Sequence, residues 1–377
     1  MTNSEPQRIT LPPLQITLHD EQKVSLQWLP QSQPKSNLPA VEPQPELSDA
    51  WKQWVALNKL MNLPDAVLVE RMVEKGVDVK LALDAVSQAS DHPYFKAGEQ
   101  FVQLLQKVES MWKIQHQLAS LSEAAQTVDR KPTISRSEFL DHYYAKNTPL
   151  ILTNIIKNWK ALERWTPEYL RQHYGEAKVE IQAGRDGDPE YELNLERHRK
   201  TVKFSEYIDW VISGQETNDY YMVANNGNLD RPEMKGLLND IEICTEYLDP
   251  NQTRGRIFFW FGPAGTVTPL HHDPVNLFLA QVSGRKLVRL MPPSQTPFVY
   301  NQVGVFSRVD LENPDYQKYP LFKNVRPIEF ILEPGEVIFI PVGWWHHVRS
   351  LETSISVSMT NFVFPNHYEW KYPNLGR

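Results

Sequence analysis

The sequence predicts a mainly β protein with helices, in which a β-sandwich or barrel follows a helical domain and a short hairpin. Three patterns support this fold class. Apolar and polar residues alternate near the N-terminus, apolar residues recur at helical spacing between residues 48 and 128, and short apolar runs separated by Gly and Pro fill the chain after residue 250. Alternation is typical of strands, and many short strands with regular turns are typical of a sandwich or barrel.

The first 47 residues predict a hairpin and a linker. In "LQITLHDEQKVSLQWL", residues 14–29, apolar positions alternate with polar ones on both sides of a polar turn, which indicates a β-hairpin. Residues 30–47 are rich in Pro and Gln and predict an extended linker.

Residues 48–128 predict a small domain of three or four helices. "SDAWKQWVALNKLMNL" begins with a Ser-Asp cap, "PDAVLVERMVEKG" begins at Pro and ends at Gly, and two further periodic segments follow. In the last segment Phe101, Leu104, Leu105, Val108 and Met111 mark one helical face. We expect this domain to serve packing or oligomerisation, with dimerisation through it as one form, rather than substrate recruitment.

Residues 129–377 predict the β-rich domain. It opens with a capped helix and a buried strand in "TISRSEFLDHYYAKNTPLIL", a second helix in "NWKALERWTPEYLRQHYG" and a strand in "AKVEIQAG". Eight short strands are then predicted after residue 250, in "GRIFFWFGP", "TVTPLHHD", "NLFLAQVSG", "RKLVRLMPP", "IEFILEPG", "EVIFIPVG", "WWHHVRSL" and "SISVSMTNFVF".

Composition excludes several classes of protein. The net charge of −7 disfavours a general nucleic-acid surface, and no apolar run is long enough to span a membrane. The single cysteine, Cys244, cannot form an intramolecular disulfide, which agrees with the reducing cytoplasm. The N-terminus carries no basic stretch followed by an apolar run, so we expect no signal peptide and a cytoplasmic protein.

His271 and Asp273, followed far along the chain by His346 and His347, predict a metal site. In a strand, residues two apart point to the same side, so His271 and Asp273 can bind one ion while His272 points away. Two imidazoles and one carboxylate are the ligands of non-haem Fe(II), which they hold on one face. Only one of the two neighbouring histidines can face the same ion, and the strand pattern does not decide which.

Two polar residues fall on apolar strand faces. In "GRKLVRL" the two arginines mark the wetter side, so Lys286 shares the apolar side with Val288. A buried ammonium needs an anion, although a lysine that reaches back to solvent is the alternative. Asn361 follows an apolar face and needs a partner, either a ligand oxygen or a structural hydrogen bond.

Three segments together resemble the JmjC/cupin-like (cupin-8) Fe(II)- and 2-oxoglutarate-dependent oxygenases. They are "GTVTPLHHDPVNLFLAQVSGRKLVRLMPP", "SRVDLENPDYQKYP" and "LEPGEVIFIPVGWWHHVRSL", within a likeness that covers roughly residues 130–365. The chain is most similar to the hydroxylase branch that includes the asparaginyl hydroxylase factor inhibiting HIF. The resemblance implies a double-stranded β-helix, or jelly roll, with Fe(II) in its mouth.

The resemblance also implies roles for single residues. His271, Asp273 and His346 would be the catalytic metal ligands. Lys286 would pair with the distal carboxylate of 2-oxoglutarate. Further contacts to this cosubstrate are implied for Thr268, Tyr221 (with Tyr220 as the alternative) and Asn361. Trp260 would be a pocket wall.

The chain departs from the family pattern at two places. Relatives often have Asn four positions after the Asp, whereas this chain has Leu277 there and Asn276 before it. Only "PNHYEWKYPNLGR" follows the barrel, so we do not expect dimerisation through helices after the barrel, as in factor inhibiting HIF.

The expected activity is a dioxygenase reaction that uses Fe(II), 2-oxoglutarate and O2 to hydroxylate an amino-acid side chain in a protein or peptide, with release of succinate and CO2. The alternatives are the same chemistry on a small molecule and a non-catalytic cupin-type binding protein. Demethylation of chromatin is less expected, because the sequence shows no histone-reading module. In "FSRVDLENPDYQKYP", expected to be a lid or rim, Arg308 and Asp310 are candidate substrate contacts with Trp260.

Overall fold

The computed structural model describes residues 14–19, 23–28, 47–224 and 226–370, so the predicted linker falls almost wholly outside the described residues. The chain divides into two compact units. The first comprises residues 1–119, 294–325 and 372–377, and the second comprises residues 120–293 and 326–371.

The elements are numbered in chain order. The strands are β1 (Leu14–His19), β2 (Lys23–Trp28), β3 (Asp129–Lys131), β4 (Leu150–Leu152), β5 (Lys178–Ala183), β6 (Arg199–Lys203), β7 (Tyr220–Tyr221), β8 (Ile257–Gly262), β9 (Val267–His272), β10 (Leu277–Ser283), β11 (Lys286–Met291), β12 (Asn301–Val303), β13 (Phe306–Ser307), β14 (Ile328–Leu332), β15 (Val337–Ile340), β16 (Trp345–Ser350) and β17 (Ser354–Met359). The α-helices are α1 (Asp49–Leu60), α2 (Asp65–Glu74), α3 (Val79–Ala89), α4 (Pro93–Ser120), α5 (Arg136–Phe139), α6 (Ala161–Arg164), α7 (Pro167–Tyr174), α8 (Leu195–His198) and α9 (Phe204–Ile212).

The first unit contains the predicted hairpin and helices. β1 and β2 pair in antiparallel, with Leu14 opposite Trp28 and Leu18 opposite Val24. The side chain of Ser48 caps α1, and that of Asp78 caps α3, each by accepting backbone N–H groups of the first turn. The helices α1 to α3 enclose a core of their own, listed here: Trp51, Val55, Leu68, Met72, Val77, Ala82 and Val86.

The second unit is a double-stranded β-helix. One sheet has the strand order β3-β4-β15-β10-β17-β8, and the facing sheet contains β9-β16-β11-β14. Consecutive strands from β8 to β11 and from β14 to β17 alternate between these sheets, which is the connectivity of a jelly roll. A third sheet, β6-β5-β7, is linked to β8 by the bridge between Met222 and Phe261.

The sheet that contains β10, β15 and β17 is buried on both faces. On its inner face, Leu279 and Ile338 pack against Val288, Leu290 and other apolar residues of the facing sheet. Its outer face is covered by helices, and the side chains packed there include Phe139, Leu170, Phe204, Phe259, Phe278, Phe339 and Val357. Double burial explains why β15 reads as an unbroken apolar run instead of an alternating one.

Two boundaries differ from the sequence prediction. The second helix of the β-rich domain is broken into α6 and α7, because Pro167 lacks the N–H group that a continuous helix needs, and Thr166 caps the new start. The last strand ends at Met359, so Asn361 lies beyond it. Across the described parts of the chain, the helices are too short or too polar to cross a membrane.

Candidate metal and cosubstrate site

The ladder between β9 and β16 places three side chains of the site. His346 lies opposite His271, and Trp345 lies opposite His272, so the two candidate imidazole ligands are direct neighbours across two strands. Asp273 follows the end of β9, and its carbonyl accepts the backbone N–H of Gly343 at 3.0 Å. Gly343 has a φ of +78°, a conformation that glycine adopts at little cost. The turn before β16 is therefore tied to the residue that supplies the carboxylate.

The side chains of His271, Asp273 and His346 converge. One donor atom from each lies within 4.8 Å of the others. Asp273 Oδ2 is 3.4 Å from His346 Nε2 and 4.0 Å from His271 Nε2. The structure thus brings together the three residues that the sequence and the family resemblance had singled out. Their role as metal ligands stays a prediction.

The histidine tautomers fit a metal. His271 Nδ1 donates to the carbonyl of Pro269 at 2.8 Å, and His346 Nδ1 donates to that of Trp344 at 2.9 Å. In the neutral imidazole, a proton on Nδ1 leaves a lone pair on Nε2, and both Nε2 atoms face Asp273. Burial lowers the pKa of His271 to about 4, so its ring is neutral at pH 7. Two imidazoles and a carboxylate are ligand types that suit Fe(II).

The histidines beside the ligands are buried elsewhere. His272 packs against the rings of Trp345 and Trp370, with ring centroids 4.7 Å and 4.5 Å away. Burial lowers its pKa to about 4. His347 lies opposite Arg289 in the ladder, and burial, helped by that charge, lowers its pKa to about 3. Neither belongs to the converging group, so the choice that the strand pattern left open falls to His346.

Lys286 lies in the barrel, as the alternation of β11 predicts. Its side chain is 1% exposed. Its Nζ donates to Tyr221 Oη at 3.0 Å and lies 5.8 Å from the ring centre of Trp260. Tyr220, the alternative to Tyr221, instead donates to the carbonyl of Trp210. Lys286, Tyr221 and Trp260 therefore form one cluster, and Trp260 is held there by its hydrogen bond to Ser358 Oγ.

Lys286 lies on the same face of the same sheet as His346 and His271, whereas Tyr221 and Trp260 contact it from two other sheets. Leu290 is opposite His346, and Lys286 is opposite Ser350, four residues along β11. An even spacing keeps the face, and four residues span roughly 13 Å. An extended lysine and a five-carbon dicarboxylic acid can together fill that distance.

Thr268 reaches this face through an irregularity in β9. Val348 is two residues from His346, whereas Thr268, which is opposite Val348, is three residues from His271. The extra residue on β9 is a bulge, which shifts the alternation and turns Thr268 to the face of His271. Alternation alone would put these two side chains on opposite faces.

The two asparagines differ in their contacts. Asn361 Nδ2 donates to the carbonyl of Asp249 at 2.8 Å, which is a structural hydrogen bond, while its buried Oδ1 has no donor among the described residues. A contact of Asn361 with the cosubstrate stays a prediction. Asn276 is fully buried, donates to Tyr368 Oη and accepts from the backbone of Val342. The shifted asparagine therefore supports the backbone behind the site.

Arg308 and Asp310 belong to the segment 294–325 of the first unit. The backbone N–H of Arg308 donates to the carbonyl of Tyr300, and the carboxylate of Asp310 accepts the N–H of Glu312. Both contacts shape this loop locally. A role of either residue in substrate binding stays a prediction.

Arg185 is a buried charged residue that the sequence analysis missed. It is 1% exposed, pairs with Glu192 at 3.1 Å and donates to the carbonyl of Val267. Its guanidinium lies over the rings of Tyr191, at 4.1 Å, and Tyr221, at 5.5 Å. It thus supports the tyrosine that contacts Lys286. Its local sequence, "AGRDGDPEYE", is polar and resembles an exposed loop, so no pattern marks it.

Comparisons with known proteins agree with this geometry. Residues 135–367 match the model of the cupin-like domain family. The chain is 35% identical over 229 residues to "Lysine-specific demethylase 8" of Xenopus tropicalis, covering 59% of this chain and 50% of that protein. It is 34% identical over 253 residues to "JmjC domain-containing protein D" of Dictyostelium discoideum, covering 61% and 54%.

A further relative is named for a role in tRNA modification. The chain is 29% identical over 241 residues to "tRNA wybutosine-synthesizing protein 5" of Gallus gallus, covering 60% of this chain and 74% of that protein. The chain spans about half the length of the first relatives it matches. All these similarities cover about three-fifths of this chain.

Proposed function

Because the chain belongs to the cupin-like domain family, we propose that it is an Fe(II)- and 2-oxoglutarate-dependent dioxygenase, and that it hydroxylates an amino-acid side chain in a protein or peptide. The products besides the hydroxylated substrate are succinate and CO2. The single observation that carries the proposal is the convergence of His271, Asp273 and His346, whose donor atoms lie within 4.8 Å of one another.

The residues of the barrel have separate roles in binding the iron and the cosubstrate. His271, Asp273 and His346 hold the iron, which when bound supplies the oxidising chemistry with O2 and 2-oxoglutarate. The buried ammonium of Lys286 neutralises the distal carboxylate of the cosubstrate and fixes its orientation. Tyr221 Oη and the Thr268 hydroxyl add hydrogen bonds to that carboxylate. Trp260 closes one wall of the pocket and keeps water from it.

The burial of Lys286 is the second support for this proposal. The Lys286 ammonium is 1% exposed, and its described contacts are the Tyr221 hydroxyl and the rings of Tyr221 and Trp260, none of which is a carboxylate. A buried cation in that situation is costly unless an anionic ligand arrives. A dicarboxylic acid bound in the barrel would provide that anion.

Demethylation is the second candidate, because three of the relatives are named lysine-specific demethylases. Both reactions begin with hydroxylation of a carbon atom of the substrate. Hydroxylation of an N-methyl carbon gives a carbinolamine, which releases formaldehyde, whereas hydroxylation of a carbon without an attached nitrogen gives a stable alcohol. The same barrel residues serve both outcomes, so the substrate decides between them.

The test is turnover of the purified full chain with Fe(II), ascorbate and 2-oxoglutarate, followed by NMR detection of succinate. Peptide mixtures, free amino acids and tRNA are offered in separate arms. We expect succinate formation, and with peptides a mass gain of one oxygen atom without formaldehyde. Asp273→Ala should abolish turnover, whereas His367→Ala, which changes an exposed histidine, should not.

The outcomes separate the alternatives. Formaldehyde with methylated peptides assigns demethylation, and product in the amino-acid arm alone assigns a small-molecule substrate. Absence of succinate in every arm, including uncoupled turnover without substrate, would make the chain a binding protein. Modification of tRNA would overturn our expectation that nucleic acid is not a partner.

We also propose how the chain is organised around this activity. Residues 129–377 form the catalytic domain, residues 48–128 form a helical domain for packing or assembly, and residues 1–47 are an N-terminal hairpin and linker. Arg308 and Asp310 remain the candidate contacts to the substrate together with Trp260. The single cysteine supports a cytoplasmic location.

A further inference from the structure

The long helix α4 exposes its apolar face. Phe101 is 70% exposed, Leu104 and Met111 are 60% exposed, and Leu118 is 55% exposed. The opposite face of the helix is half-buried within the first unit, and His116 packs there against Phe298 at 5.2 Å. An apolar face of this size on the outside of a helix marks an interaction surface.

The spacing of this face is that of a coiled coil. Steps of three and four residues alternate through the positions 94, 97, 101, 104, 108, 111, 115 and 118, which is four heptads with apolar residues at every position except Gln115. An apolar repeat of 3.5 residues keeps one seam continuous between two long helices. Packing against a sheet or an irregular segment does not need such a repeat. The expected partner is therefore a helix.

The same face is self-complementary. In an antiparallel pair centred between Glu109 and Ser110, Val108 meets Met111 of the other copy, and Phe101 meets Leu118. No charged residue lies at these positions, so a second copy meets no repulsion. A two-fold interface needs this kind of matching, because each patch packs against its own equivalent.

The size of the face also suits a dimer. Large apolar side chains on α4 that are at least 49% exposed are Tyr94, Phe101, Leu104, Leu105, Val108, Met111, Ile114 and Leu118. The last seven lie within the overlap of the two helices, and covering them would bury on the order of 700 Å² per copy, close to the ~800 Å² per partner of a standard specific interface. We propose that α4 pairs with α4 of a second copy of this chain as an antiparallel two-stranded coiled coil.

The first test is the mass of the full chain in solution. Sedimentation equilibrium over a concentration series should give twice the chain mass of 43.8 kDa. Val108→Glu combined with Met111→Glu places carboxylates near the two-fold axis and should weaken the dimer roughly 100-fold. Gln103→Glu combined with Ser110→Glu adds the same charge to exposed positions off the stripe and should leave the dimer intact.

Circular dichroism and succinate formation check that each variant is folded. A wild-type chain that stays monomeric throughout the series would overturn the proposal. So would a dimer that both double variants leave unchanged, because its interface would then lie elsewhere. Neither result bears on the oxygenase activity, which is measured separately.

The second test is the direction of pairing. In the antiparallel arrangement, a mixture of Phe101→Cys and Leu118→Cys chains should form a disulfide-linked dimer under mild oxidation. Phe101→Cys alone should remain uncrosslinked, as should the wild type with its half-buried Cys244. Efficient crosslinking of Phe101→Cys with itself would show parallel pairing and contradict the arrangement.

Discussion

At the scale of single residues, the site could be predicted where chemistry and strand period act together. His271 and Asp273 are two apart, and Lys286 falls on the apolar side of β11, so both predictions follow from alternation. Alternation could not choose between His346 and His347, because either neighbour can face inward. It also fails for Thr268, since the bulge in β9 changes the face that this side chain takes.

Replacement of the buried ammonium tests the cosubstrate pocket. Lys286→Met keeps an unbranched side chain of nearly the same length but removes its charge, so we expect the KM for 2-oxoglutarate to rise about 10- to 100-fold. The affinity for Mn(II), measured by calorimetry, should stay unchanged, because this side chain is not in the converging group of metal ligands. Arg285→Met is the control, since Arg285 points outward to Glu352. Equal effects of both substitutions would contradict the assigned role.

At the scale of elements, the helices α1 to α4 and eight of the ten strands described after residue 250 were predictable from periodicity, whereas the short β12 and β13 were not. Between β5 and β8, the elements α8, β6 and β7 were not predictable, because each is too short to establish a period. The helix α9 in the same segment does show helical spacing, at Phe204, Tyr207, Ile208 and Val211. The apolar face of α4 shows another limit. Periodicity predicts that the face exists, but whether it packs inside the chain or on its surface depends on distant contacts.

The turn between β10 and β11 depends on a glycine. Gly284 has a φ of +68°, and a Cβ atom there would lie 2.2 Å from the carbonyl oxygen of Thr353. Gly335, with a φ of +91°, has open space around the same position. In chemical denaturation, Gly335→Ala should cost about 1 kcal/mol from backbone strain alone. Gly284→Ala should cost roughly 3 kcal/mol or more, because steric overlap is added. Equal costs would show that the turn can move aside.

The half-buried face of α4 contains a carboxylate with a perturbed pKa. Burial raises the pKa of Glu109 from 4.5 to about 7. Between these values the folded chain holds a proton that the unfolded chain releases, so this contribution to stability is present below pH 4.5 and is lost as the pH rises through 7.

Glu109→Gln removes that dependence. At pH 8 the variant should be more stable than the wild type by about 1–2 kcal/mol, a value reduced for partial exposure. At pH 5 the two should be alike. Thermal denaturation at both pH values measures this difference, and Glu99→Gln, an exposed position on the same helix, serves as the control. A stabilisation that is equal at both pH values would exclude titration of Glu109 as its cause.

At the scale of the whole molecule, the chain combines a jelly roll with a helical unit that also includes residues 294–325. The assignment of residues 294–325 to the first unit was not predictable from the sequence. In sequence this segment lies between two strands of the barrel, and only its long-range contacts place it in the other unit. The barrel itself was predictable as a sandwich or barrel from its short strands, and as a double-stranded β-helix only through its family resemblance.

Binding of metal and cosubstrate should stabilise the folded chain by mass action. With Mn(II) and 2-oxoglutarate each at about 100 times its dissociation constant, each ligand adds about 2.7 kcal/mol, and the combined gain of about 5.4 kcal/mol raises Tm by roughly 5–10 °C. Asp273→Ala should show no such rise, whereas Glu109→Gln should retain it. Differential scanning calorimetry measures both. A rise that survives in Asp273→Ala would mean that the ligands bind at another place.

The position of β16 constrains how this protein can evolve. Its backbone is hydrogen-bonded to β9 on one side and to β11 on the other, so His346 and the residue opposite Lys286 belong to one ladder. Insertion or deletion of one residue within β16 would move each later side chain of this strand to the opposite face of the sheet. Descendants of this gene should therefore vary in β16 by exchange of amino acids alone, and insertions should accumulate in the connecting loops.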